Sequence, residues 1–149
     1  MRGELHLLFS LGEDRYALPA RQVIEVLALQ PLKQLPEAPA WVAGVLAHRG
    51  RMIPVLDLYR RLFDRPARAR TSTRLVLVDW APGQPLGLVL EQAGRTERLD
   101  PPAPQPPLPS DAAYLGPVQQ AGVAGLVQRV DVAGLLPADV AERLFAAAS

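Results

Sequence analysis

The chain contains no cysteine. That excludes disulfides, thiolate metal sites and thiol nucleophiles, and it fits a reducing compartment. Long hydrophobic runs are also missing. No stretch approaches the roughly 18 uncharged apolar residues that a membrane helix needs. The opening MRGELHLLFSLGEDRY breaks its short apolar run at Gly12-Glu13-Asp14, unlike a signal peptide. The expectation is a soluble cytoplasmic protein with no direct membrane insertion. An excess of one charge is absent too: the net charge is +1, whereas nucleic-acid-binding domains usually carry a strong basic surplus. There is no HExxH motif, no glycine-rich phosphate loop and no nucleophile elbow. Gly12, Gly44 and Gly50 are too scattered for a dinucleotide fingerprint. The two histidines, His6 and His48, read as surface or half-buried side chains and not as ligands. No metal or cofactor is expected. A catalytic reading would need Asp57 and His48 to converge in one pocket. Asp57 stands just before a helical stretch, so a capping role suits it better.

What is present is organised around Trp41 to Leu58, WVAGVLAHRGRMIPVLDL. Aliphatic and β-branched residues flank Arg49-Gly50 on both sides, and charge is scarce between them. Glycine at the second loop position permits the positive φ of a two-residue hairpin turn. The segment therefore reads as strand, tight turn, strand and helix start, with Arg49 held at a defined point on a stiff hairpin. Pro54 lacks an N–H, so its strand must be at an edge or bulged there. Asp57 opens LYRRLF, with Leu58, Leu62 and Phe63 on one helical face.

At 149 residues the chain fits one domain or two small packed lobes. Leu5, Leu7, Phe9 and Leu11 alternate along a first strand, Gly12-Glu13-Asp14 turns, and Arg15 to Leu18 returns. Ala20 to Val26 reads as a short helix carrying Glu25, with a third strand near Val26 to Gln30. The polar, arginine-rich stretch from Asp64 to Thr73 is the best internal boundary. Arg74 to Trp80 and Pro85 to Leu90 then repeat the opening layout of strand, glycine turn and strand. Glu91 to Leu99 continues as an extended polar segment. Asp100 to Ser110 holds six prolines; it reads as polyproline II or loop, and its PxxP registers suit a connector better than an SH3 ligand. Tyr114 to Gln120 and Gly122 to Gln128 form a hairpin, Asp131 caps a turn, and Pro137 to Ala147 closes the chain as a helix with Val140 and Leu144 inward. About nine or ten short strands with frequent turns suggest small antiparallel barrels, a mainly β fold.

These segments resemble, in order and spacing, the CheW family of chemotaxis coupling proteins. The resemblance is carried by LFSLGEDRYALP, by VIEVL with its glutamate Glu25, and most specifically by LPEAPAWVAGVLAHRGRMIPVLDL. TSTRLVLVDW, PLGLVLEQA and YLGPVQQAGVAGLVQRVDVAGLL follow. The resemblance implies two SH3-like antiparallel β-barrels packed together with a few short helices, and a groove between them. The first barrel is expected at roughly 15–72 plus the chain ends, and the second at 73–130. It further implies a non-enzymatic adaptor in a chemosensory array, joining a CheA-type histidine kinase regulatory domain to the cytoplasmic tip of a methyl-accepting receptor. Receptor or kinase contact falls on Val23, Glu25, Gly44, Arg49, Gly50, Arg74 and Leu75, with Pro54 and Asp57 structural. The kinase domain would dock end to end on the first barrel. His48 departs from the family, which commonly has an apolar residue before the arginine. The competing reading is a small-barrel nucleic-acid-binding protein using Arg65, Arg68, Arg70 and Arg74. A solvated face is the plainer account of those arginines.

Overall fold

The computed structural model describes residues 3–102 and 114–148, and of Val123 only the backbone. The expected proline-rich connector therefore lies largely outside the described residues. The strands are β1 (Glu4–Leu11), β2 (Asp14–Pro19), β3 (Val23–Ala28), β4 (Val42–His48), β5 (Arg51–Asp57), β6 (Arg74–Ala81), β7 (Gln84–Leu99), β8 (Leu115–Ala121) and β9 (Gly125–Val130). The helices are α1 (Leu58–Phe63) and α2 (Ala138–Ala147). Single 3-10 turns occur at Ala20–Gln22, Gly122–Ala124 and Val132–Gly134.

Backbone pairing runs β3-β6-β7-β1-β2-β9-β8, with β5 also on β7 and β4 on β5. Two lobes share this ladder because β7 is 16 residues long. Its first half pairs with β6 and β5, and its second half with β1. One lobe packs around Leu46, Ile53, Val55, Leu75, Leu77 and Val89. The other has a smaller apolar interior of Leu8, Ala17, Leu99, Ala121 and Val127. Between them lies the largest core, which takes Leu7, Phe9, Leu11, Val76, Val78 and Leu88, with Leu144 of α2. From Leu7 onward β1 thus buries both faces: Leu7, Phe9 and Leu11 enter the shared core, while His6, Leu8 and Ser10 are buried on the other side.

The pairing corrects several expectations. The boundary does not fall at 72/73: β6 pairs with β3, so residues 23–90 form one lobe, and 4–19 with 91–130 form the other. The repeated layout is real, but β1–β2 and β6–β7 are one hairpin from each lobe, not two lobe starts. The polar segment from Glu91 to Leu99 is strand, registered with β1 from Ser10↔Glu91 to Glu4↔Leu99. The helix expected over Ala20 to Val26 is only the 3-10 turn Ala20–Gln22, because Val23 to Ala28 pairs with β6. Glu25 is consequently a strand residue. On α1 the buried aromatic is Tyr59, while Phe63 is 41% exposed. His6 is fully buried, not half-exposed.

The central hairpin forms where the turn residues place it. His48 faces Arg51 across a two-residue loop, and Arg49 (φ 51) and Gly50 (φ 77) both take the left-handed backbone that such a turn needs. Pro54 opposes Val45 on β4, and the β5–β7 ladder begins only at Val55. Val45 spends both backbone groups on Lys33, at 2.9 and 2.8 Å, so the missing N–H of Pro54 lies where no ladder bond is due. Asp57 caps α1 by accepting from Arg60 N at 3.1 Å, and its other oxygen accepts from Ala67 N at 2.8 Å.

Candidate functional site at the β3 edge and hairpin tip

β3 ends the strand path. Its residues alternate between partly covered Val23, Glu25 and Leu27 and exposed Ile24, Val26 and Ala28. Ile24 is 54% and Val26 41% exposed, which leaves a solvent-facing apolar strip along an edge. Across from this edge stands the tip of the β4–β5 hairpin. No ladder joins β3 to β4; Glu25 bridges them with its side chain. One carboxylate oxygen accepts from His48 Nε2 at 3.2 Å, and the other accepts from Arg49 Nη2 at 3.4 Å. On its far side the tip is tied to the β6–β7 turn, where Arg51 Nη2 donates to the Gly83 carbonyl at 2.8 Å. The Arg49 side chain remains 76% exposed. A guanidinium is thus steadied by a carboxylate on a tip fixed from two sides, with its remaining donors turned to solvent.

The sequence-predicted residues divide into distinct groups. Glu25, Arg49 and Gly50 come together at the tip, with Val23 two positions from Glu25 on β3. Gly44 sits on β4 at φ 146, and a Cβ there would lie 2.5 Å from the Lys33 carbonyl oxygen. Its place is structural, a close backbone crossing at the Val42/Gly44 register shift. Arg74 opposes Ala28 at the far end of β3, where it donates to the Thr71 and Thr73 carbonyls. Leu75 is corrected outright. It is 0% exposed inside the β3–β7 lobe and cannot touch a partner. Sequence reasoning missed Ile24 and Val26. Reading Val23 to Ala28 at period two, as a strand, would have exposed them.

Two of the arginines on and just after α1 pack against aromatic rings. Arg61 lies between the Trp41 and Tyr114 rings, 4.4 and 4.5 Å from their centroids, and donates to the Leu135 carbonyl. Burial holds its guanidinium below the ordinary range and pushes the Tyr114 phenol above its own. Arg65 stands 5.3 Å over the Tyr59 ring. Asp57 and His48 do not converge either. His48 is at the hairpin tip, and Asp57 closes β5, about 20 Å along the strand from Arg51. Among the described residues no three His, Asp or Glu side chains are grouped to hold a metal.

Two SH3-like barrels carrying a steadied, outward-facing arginine beside an apolar edge define a scaffold domain. The comparisons with known proteins agree. Residues 5–140 match the family model described as a CheW-like domain, and the chain belongs to that family. It is 36% identical over 133 residues to Protein FrzA of Myxococcus xanthus, covering 86% of this chain and 82% of that one. It is 34% identical over 71 residues to Protein PilI of Pseudomonas aeruginosa, 48% of this chain and 40% of that one. In structure it resembles the scaffolding protein TtCheW of Thermoanaerobacter tengcongensis, with a TM-score of 0.81 at 24% identity, over 94% of this chain and 92% of that one. The protein is a chemotaxis coupling adaptor.

Proposed function

We propose that the β3 edge and the hairpin tip grip the cytoplasmic tip of a methyl-accepting chemoreceptor, and that the regulatory domain of a CheA-type histidine kinase docks end to end on a barrel. The protein then works in the cytoplasm, on arrays held by membrane receptors, as a scaffold and not as an enzyme. The observation that carries this reading is Arg49, 76% exposed and braced by Glu25, beside the exposed side chains of Ile24 and Val26. A receptor tip is a helical hairpin. An apolar strip accepts its apolar face, and the guanidinium offers forked donors to a carboxylate or to chain carbonyls. The Glu25–Arg49 pair alone is worth about 0–1 kcal/mol, so it serves orientation. Each contact is weak, and a repeating array multiplies weak contacts by roughly 10²–10⁴ in avidity.

The test is Arg49→Glu. The variant is expected to melt like the parent and to lose at least about tenfold in affinity for a receptor-tip fragment, as befits reversing a charge at an interface. Unchanged capture of receptor and kinase by the folded variant overturns the assignment.

A further inference from the structure

Glu25 does not serve Arg49 alone. Its carboxylate is shared, with one oxygen 3.2 Å from His48 Nε2 and the other 3.4 Å from Arg49 Nη2. The three side chains are graded in exposure, at 18% for His48, 28% for Glu25 and 76% for Arg49.

We propose that His48 is the positioning residue of the grip: it fixes the Glu25 carboxylate, so that Arg49 is aimed outward at an acidic partner and not folded down onto its own strand. The inference rests on the receptor-gripping reading above. Its chemistry follows from the atoms. An ionised carboxylate only accepts, so the proton of a neutral His48 must sit on Nε2. His48 itself is anchored through the backbone, because it closes the two-residue turn opposite Arg51. With one oxygen occupied, Glu25 offers Arg49 a single oxygen at a long 3.4 Å. That contact orients the guanidinium without chelating it, and the forked face stays available for a visiting carboxylate.

The experiment uses the full chain, a soluble helical-hairpin fragment of a methyl-accepting receptor, and His48→Leu beside His48→Gln. In the free protein, long-range ¹⁵N–¹H spectra read the imidazole tautomer. Only two histidines are present, so the resonance lost in His48→Gln identifies the ring. The inference expects the Nε2–H tautomer. It also expects weakened binding by His48→Leu and recovery by His48→Gln, which keeps a side-chain N–H donor. His48→Leu should add nothing in a Glu25→Gln background. An Nδ1–H tautomer overturns the inference, as does a folded His48→Leu that binds with parental affinity. If the parent protein itself fails to bind, or Arg49→Glu binds normally, it is the receptor-gripping reading that falls.

Discussion

Two buried side chains show how single residues set this fold's sensitivities. His6 is enclosed in the β1-side lobe, donating from Nδ1 to the Glu4 carbonyl at 2.8 Å and accepting at Nε2 from Arg129 at 3.2 Å. Burial foremost, and the Arg129 charge after it, hold its pKa below the usual 6.5. The folded state thus refuses a proton that the unfolded chain accepts. Its contribution is intact above pH 6.5 and is lost progressively as pH falls below that value. The urea midpoint should drop between pH 7.5 and 5.5, and by less in His6→Gln. An equal drop in both proteins would place the acid sensitivity elsewhere. Arg61 makes the complementary point. It ties Trp41 and α1 of one lobe to Tyr114 and Leu135 beyond the other lobe's strands. Lysine keeps the charge but not the plane, so Arg61→Lys should cost about 1–3 kcal/mol in urea unfolding. A variant as stable as the parent would reduce the stack to a coincidence of packing.

At the level of elements, the β4–β5 turn makes a separable prediction. Gly50 sits at φ 77, and a Cβ there would meet nothing within 4 Å. Gly50→Ala should therefore cost about 1–2 kcal/mol from backbone strain alone, and Gly50→Asn distinctly less, because asparagine tolerates this region. Thermal melts of the pair check it, and equal losses would show that contact, not conformation, sets the cost. This hairpin was legible in the sequence because its turn chemistry and its aliphatic flanks agree. β3 was not. Val23 and Leu27 also suit a helical face, and the deciding interaction is the pairing with β6, some fifty residues away in the chain. Leu75 was misjudged for a related reason. β6 is covered on both sides, with Leu75 and Leu77 in one core and Val76 and Val78 in another. Such a strand has no alternation to say which residues face outward. Glu25 and Arg49 were recognisable from the family pattern, but the part of His48 in their contact needed coordinates.

For the whole molecule the decisive fact is that β7 belongs to both lobes, with Gln92 at φ 51 and Gly94 at φ 144 where its pairing passes from one lobe to the other. The lobes should therefore unfold in one transition. Fluorescence of Trp41 and Trp80, both within residues 23–90, and far-ultraviolet circular dichroism should give coincident urea curves. Two separated steps would mean that the shared strand couples the lobes less than their common core suggests. The sequence showed two similar hairpins and invited a cut between them at 72/73. What it concealed was that a single long strand crosses from one lobe to the other, since Glu91 to Leu99 looks merely polar when its β1 partner is not in view.

That through-going strand also bears on where the chain can be divided. A break anywhere within residues 84–99 would leave β1 and β2 on one fragment and β8 and β9 on the other, so neither piece would hold the whole of the second lobe.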